Sequence, residues 1–478
     1  MKTGVRAMTN ETILQSFYWE MCTEEYEDKY PEECDLWQLL KKEASDLKDI
    51  GFTSVWIPPA TKGKAGTYDV GYGIYDLWDL GEFDQQGTIR TKYGTKEELL
   101  KALASLHQNE MRVYFDAVLN HRFGADETEE VELEDDGKAE VWTKFNFPGR
   151  NNKYSDCKLD WHSFDGVDWN ERTKEIGRYL FEAKDWDWSY GDDFLMGADL
   201  DYNNENVRND VIKWGKWIIN DLGFDGFRID AAKHIDSGFL RDFINEINEN
   251  SNKDVFFGGE AWIEEEDILC DFINQINTKH LKVFDYPLRS LFTQMKNREL
   301  NMKDLKNNGI VNKEGYKDKS VTFIDTHDTD RDNPPKDVES ISHYKYQAYT
   351  YILMREYGLP VVYWKDYFTR KMSEGIKPLI NARKNYAYGK GYESEATDQS
   401  TYCYIREGNN SSSGLVMLIT QETSGDIIEK EIDSKNSNTE YYDITGHIEE
   451  DVKTDDNGKA HFKVIAKEDK GWSVWVKK

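Results

Sequence analysis

The chain has 478 residues with 61 Lys or Arg against 91 Asp or Glu, a formal net charge of −30. A hydrophobic fraction of 38% with 15 Trp, 28 Tyr and 22 Phe fills a large core and excludes a disordered chain. The acidic balance excludes nucleic acid and anionic membrane as partners, since both are met with clustered Lys and Arg, and leaves a neutral or cationic one.

The first twelve residues, MKTGVRAMTNET, hold no apolar run of the length a secretory leader needs, and no run of 18 apolar residues occurs anywhere. A cytoplasmic protein is expected unless a leader has been removed. Five cysteines (Cys22, Cys34, Cys157, Cys270, Cys403) are scattered without C-x-x-C spacing, which predicts neither a disulfide framework nor a zinc site.

In chain order, ILQSFYW (13–19), TSVWIPP (53–59), VYFDAVLN (113–120) and DGFRIDA (225–231) read as buried strands, followed by VFFGGEAW, VFDYP, VTFIDT and PVVYW. Between them lie amphipathic helices. WQLLKKEASDLKDI closes at Gly51, and in TKEELLKALASLHQNE residues Thr95 and Glu98 have capping-box spacing. NVRNDVIKWGKWIINDLG, GFLRDFINEINEN and SHYKYQAYTYILMREYG are further helices. Strands alternating with helices predict parallel pairing through right-handed crossovers, and eight such units close into an α/β fold of the (β/α)8, or TIM barrel, type.

Strands three and four begin at residues 113 and 225, far more than one βαβ unit apart, so an inserted domain is predicted after strand three. Its acidic stretch EVELEDDGK (130–138) reads as an exposed turn. After Gly389, GNNSSSG (408–414) separates two apolar runs as a hairpin turn and the end alternates as GWSVWVKK, which predicts a C-terminal all-β sandwich domain. The expected division is a catalytic barrel over 1–121 and 206–389, an inserted metal-binding domain over 122–205 and the sandwich over 390–478.

Reactive groups of such a barrel sit at the C-terminal ends of its strands. That filter selects Asp116, Asp230, Glu260 and Asp328, each embedded in an apolar run, where a carboxylate is costly unless paired or reactive. With no Ser-His or Cys-His pairing, the chemistry indicated is acetal cleavage by two carboxylates, roughly 5 to 5.5 Å apart in a retaining glycosidase. Asp230 on strand four and Glu260 on strand five are adjacent. Arg228, two residues before Asp230 on the same strand face, is expected to keep it ionised and nucleophilic. Glu260, near Trp262, reads as the more apolar group and so as the proton donor. Asp328 would bind substrate hydroxyls, with His121 and His327 as further donors.

DAVLNH (116–121), GFRIDAAKH (226–234), GGEAW (258–262) and FIDTHDT (323–329) together resemble the four ordered sequence regions of the α-amylase family, glycoside hydrolase family 13. DVGYGIYDLWDLGEFDQQGTIRTKYGTKEEL (69–99), FPGRNNKYSD (147–156) and LMGADLDYNN (195–204) extend the similarity toward the bacterial liquefying members. The resemblance implies Asp230 as nucleophile, Glu260 as general acid/base and Asp328 as transition-state stabiliser. It implies Arg228, His121 and His327 as contacts to the sugar being cleaved, Tyr72 as the ring that stacks on it, and Lys233 and His234 on the leaving-group side. The implied reaction is endo-hydrolysis of α-1,4-glucosidic bonds in starch, glycogen or maltodextrins with retention, by a chain expected to act as a monomer.

The family is similar in binding a structural calcium between inserted domain and barrel, and Asn120, Asp193, Asp199 and the His234 backbone carbonyl are the matching ligands. Related enzymes carry a second calcium and a sodium; Asp165, Asp187 and Asp201 match that cluster, but Asn203 stands where the pattern has an aspartate, which weakens a divalent site. Near strand eight the chain reads VVYWKDYF where the family has a Tyr-Gly-Asp run. Two other readings share the fold. A catalytically silent glucan-binding protein would lack one of the three carboxylates, and all are present; a transglycosylase would keep the chemistry and hand the glycosyl unit to another sugar.

Overall fold

A computed structural model of the chain describes residues 10–135, 137–187, 194–336 and 338–478. Eight parallel strands close a barrel: β1 (Ile13–Gln15), β2 (Ser54–Trp56), β3 (Arg112–Ala117), β4 (Gly226–Ile229), β5 (Phe256–Gly259), β6 (Leu281–Phe284), β7 (Ser320–Thr322) and β8 (Leu359–Tyr363), with β8 pairing back onto β1. Each predicted apolar run supplies one of them. Most of the runs are longer than the strands because residues beyond the strand turn over the rim while staying buried, as Phe17 and Tyr18 do after β1.

The amphipathic segments form the surrounding helices, among them α1 (Leu36–Ile50) and α2 (Lys96–Gln108). α1 ends at Gly51, whose φ of 120° lies where a side chain is strained. The Thr95 hydroxyl accepts from the Glu98 N–H while Glu98 accepts from the Thr95 N–H, the reciprocal cap read from the sequence.

Between β3 and β4 the chain forms a four-stranded antiparallel sheet in the order Glu175–Leu180, Phe164–Asn170, Ala198–Leu200, His121–Arg122. The stretch read as an exposed turn over 130–138 is for the most part paired backbone: Glu127–Leu133 and Gly137–Lys144 form a hairpin. Val131, Ala139 and Val141 bury one face of it, and the alternating acids on the other made it look like a turn.

At the C-terminal end a six-stranded sheet (Thr401–Arg406 and Leu415–Thr420 near its middle) faces a two-stranded one, Ile427–Asp433 with Lys459–Ile465. Strand alternation divides the burial. Cys403, Ile405, Val416 and Leu418 pack toward Ile432, Phe462 and Val464, whereas Tyr402, Tyr404, Met417 and Ile419 join the barrel's own core.

The cysteine expectation is also corrected. Cys22 and Cys34 form a disulfide, with Cα atoms 4.9 Å apart, across the loop that follows β1. Their spacing of twelve residues carries no signature; a short helix, Glu24–Lys29, and the helical turn after it bring the two back together. Among the described residues no helix is long and apolar enough to cross a membrane.

Candidate active site

The site is built on the register of three neighbouring strands. Arg228 of β4 lies opposite Asp116 of β3 and Gly258 of β5, and Ile229 lies opposite Ala117 and Gly259. One step on, the ladder carries Asp230 and Glu260 side by side: the Asp230 N–H donates to the Ala117 carbonyl at 2.9 Å and the Glu260 N–H to the Ile229 carbonyl at 2.8 Å. Ala231 then adopts a left-handed φ of 46°, a conformation non-glycine residues hold only under constraint. It turns the Ala231 N–H onto Glu260 Oε2 at 2.9 Å.

Arg228 is the centre of the cluster, 2% exposed. Its Nη1 donates to Asp116 Oδ1 at 2.9 Å and Asp230 Oδ1 at 2.5 Å, while Nη2 lies 3.5 Å from Glu260 Oε2 and 4.0 Å from Asp328 Oδ2. One planar guanidinium thus faces four carboxylates from four strand ends, a geometry its fork suits. Asp116 also accepts from Trp56 Nε1 and the Tyr72 hydroxyl, each at 2.9 Å, so it anchors both Arg228 and Tyr72.

The environments of the carboxylates differ from the sequence reading. Burial pushes Asp230 well above the usual carboxylate range; Arg228 opposes this, and Glu260, Asp116 and Asp328 add to it. The expected ionising effect of Arg228 is present but burial outweighs it. Asp328 is also raised by burial, yet His327, Arg331 and Arg228 together hold it well below that range. Glu260 is not in an apolar setting: besides the Ala231 N–H, it accepts the Tyr286 hydroxyl at Oε1, 2.8 Å away. Two polar donors therefore orient it, and the flanking Gly and Ala concealed them.

The remaining predicted residues gather around this cluster. His327 Nε2 lies 2.9 Å from Asp328 Oδ2, and its Nδ1 accepts from Gln15 Nε2 at 3.1 Å. Its ring stacks on Tyr72 at 4.8 Å. His121 is buried, which lowers its pKa to about 4, and its Nε2–H is engaged by the Tyr72 carbonyl at 2.9 Å, so it fixes the Tyr72 backbone. Lys233 Nζ reaches the Trp262 carbonyl at 3.3 Å, and Trp262 stacks on Tyr286 at 5.1 Å. His234 is buried one residue beyond Lys233. Three residues at the site were not singled out by the sequence reading: Trp19, near-parallel to Tyr72 and His327; Tyr286, the Glu260 partner; and Arg331, which pairs with Asp328. Trp19 closes the predicted segment ILQSFYW and Tyr286 lies within VFDYP, so each falls past the end of a barrel strand, the position that could have singled it out.

The expected metal ligands lie where the antiparallel insert meets the barrel. Asp199 pairs in register with His121, next to Asn120. Asn120 Oδ1 and Asp165 Oδ2 are buried without a hydrogen-bond partner. Burial and the neighbouring Asp201 and Asp187 raise Asp165 to about 8; burial and Asp236 raise Asp187 to about 7; burial, Asp187 and Asp165 raise Asp199 well above its usual range. Orphaned oxygens among mutually repelling carboxylates are what a hard, oxygen-seeking cation relieves, and the donors fit one on that ground. Asp201 is instead paired with Lys184, and Asn203 is exposed. Asp193 lies outside the described residues. Among the described residues no three His, Cys, Asp or Glu side chains converge into a metal-binding group.

The model of the α-amylase catalytic domain matches residues 42–369, and that of the α-amylase C-terminal region matches 415–476. The α-amylase of Bacillus licheniformis is 38% identical over 96% of this chain and 92% of its own length. Glucan 1,4-alpha-maltohexaosidase of Bacillus sp. (strain 707) is 36% identical over 98% and 93%, and the cytoplasmic α-amylase of Escherichia coli (strain K12) 33% over 95% and 97%. Among solved structures, the Geobacillus thermoleovorans α-amylase complexed with acarbose superposes with a TM-score of 0.65 over 99% of both chains at 18% identity, a likeness of fold. With eight strands closed in order and four acids around one arginine, the chain belongs to the α-amylase family of glycoside hydrolases.

Proposed function

We propose that the chain is an endo-acting, retaining α-amylase that hydrolyses internal α-1,4-glucosidic bonds of starch, glycogen or maltodextrins. The observation that carries the reading is the Arg228 guanidinium, which contacts Asp116 and Asp230 and faces Glu260 and Asp328. Asp230 is the nucleophile: its carboxylate attacks the anomeric carbon as the glycosidic bond breaks. Glu260, oriented by Tyr286 and the Ala231 N–H, gives its proton to the departing oxygen and then takes one from the water that cleaves the glycosyl-enzyme. Asp328, held ionised by His327, Arg331 and Arg228, binds ring hydroxyls and favours the oxocarbenium-like state. Tyr72, backed by the His327 ring, offers the stacking surface for that ring, Lys233 and His234 line the leaving-group side, and Trp262 is a further aromatic against the sugar.

Calcium is the cation proposed for the site at the insert, held by Asn120, Asp199 and the His234 carbonyl, with Asp193 completing the set. When bound it supplies charge neutralisation that ties the insert to the loop after β4. Asp165 and Asp187 belong to a second cluster, in which the Asp201–Lys184 pair already neutralises one ligand; sodium suits that site better than a second calcium. The domain limits are those read from the sequence, 1–121 with 206–389, 122–205 and 390–478, and the enzyme acts as a monomer. A cytoplasmic setting, supported by the relative so named from Escherichia coli, would keep Cys22 and Cys34 as thiols, with the disulfide forming under oxidising conditions.

The test is incubation with soluble starch while products are followed by chromatography and the first-formed anomer by NMR. Short maltodextrins appearing first as α-anomers are expected. First-formed β-anomers would reject retention, and products consisting only of elongated or rearranged glucans would favour the transglycosylase.

A further inference from the structure

Arg331 follows Asp328 by three residues and, besides helping to hold Asp328 ionised, is placed with unusual definition. Its Nη2 donates to Asp328 Oδ1 and its Nε to the His327 carbonyl at 3.2 Å, while its guanidinium lies 3.5 Å from the centroid of the Trp19 ring. The residues on either side are themselves anchored. Asp330 accepts from Arg370 at 2.8 Å and lies 3.4 Å from the buried Lys345 ammonium. The Asp332 N–H donates to Glu20 at 2.8 Å, and Lys365 ties Glu20 and the Asp332 carboxylate together at 2.8 and 2.9 Å. Loops from β1, β7 and β8 are thereby knotted around one arginine. Lys365 belongs to the VVYWKDYF run that departs from the family pattern.

The two groups Arg331 occupies are those a glucose unit beside Asp328 would use. A sugar needs an aromatic face for its C–H groups and a carboxylate for its hydroxyls. Trp19 is half-buried and its ring is within 14° of parallel to Tyr72, so the aromatic surface at this rim extends past Tyr72 to Trp19. A flat guanidinium over Trp19 denies that ring to substrate. We infer that Arg331 is a specificity-determining residue that closes the cleft on the Trp19 side and sets how many glucose units of an α-glucan bind there. The inference rests on the glycosidase reading above.

The test compares wild-type enzyme with R331A and R331K on maltotriose and maltoheptaose, together with the product lengths released from amylose. R331A frees the Trp19 face, so the ratio of kcat/KM for the longer to the shorter substrate should rise about fivefold, the size of one aromatic contact, and amylose products should lengthen. R331K keeps a charge near Asp328 but is no flat fork to cover an indole, so it should shift the ratio in the same direction. The double variant W19A/R331A should lose the gain. An unchanged ratio and unchanged products in both single variants would overturn the proposal, as would a gain that survives loss of Trp19. Should R331A not fold, R331K and R331Q carry the same expectation. A wild-type enzyme inactive on every glucan would instead refute the glycosidase reading.

Discussion

Replacing Arg228 by Gln removes the positive charge that touches Asp116 and Asp230 together, while leaving a side chain of similar length. A unit charge at the 2.5 Å separating Arg228 from Asp230 interacts by roughly 7 kcal/mol at an effective dielectric of about 20, and an opposite charge this close lowers a carboxylate pKa by about 1 to 3 units. Asp230 already sits above its ordinary range through burial, so losing Arg228 moves it further up. The nucleophile must be ionised, so the acid limb of the pH profile of kcat/KM shifts upward by about 2 units, and activity below that limb falls about 100-fold. Breaking a buried pair also destabilises the fold by about 3 to 5 kcal/mol, which calls for circular dichroism and a melting curve beside the kinetics. R228K keeps a charge but not the fork, and should show a smaller shift in the limb. A folded R228Q enzyme with an unmoved acid limb would refute the reasoning, because the charge would then have no hold on the nucleophile.

Four further outcomes follow from single contacts. Asp230→Asn should fold as the parent does and lose nearly all turnover; substantial residual activity would mean that another residue is the nucleophile. Tyr286→Phe deletes the hydroxyl that orients Glu260 and should cost about tenfold in kcat with little change in KM, measured on a substrate with a poor leaving group. Lys345→Met leaves Asp325, Asp330 and Asp366 facing one another at a buried position, and should lower stability by about 3 to 5 kcal/mol in denaturant titration. Excess chelator should lower the melting temperature and added calcium restore it; an unchanged curve with no calcium by elemental analysis would remove the metal from the account.

The barrel was legible because parallel strands buried on both faces are continuous apolar runs, and eight such runs alternate with helical periodicity. The catalytic rim was legible for a related reason: a carboxylate inside an apolar run is costly, so Asp116, Asp230, Glu260 and Asp328 stood out against the acids on helix faces. What the sequence left obscure depends on side chains arriving from elsewhere. Tyr286 lies 26 positions from its partner Glu260, and nothing local in either segment announces the hydrogen bond. Trp19 and Arg331 meet across the rim from β1 and β7, and Cys22 meets Cys34 across the short helix Glu24–Lys29. The hairpin over 127–144 was masked by its solvent-facing acids. The balance between burial and Arg228 at Asp230 is a sum over the whole cluster, which a strand pattern does not contain.

The central claim is that Asp230 forms a covalent bond to the sugar it cleaves. Its most direct test is mass spectrometry of the proteolysed enzyme after exposure to a fluorinated maltosyl substrate whose glycosyl-enzyme turns over slowly. The account predicts one glycosyl adduct, on the peptide that carries Asp230. An adduct on another residue, or turnover with no adduct and a β-anomeric first product, would contradict it.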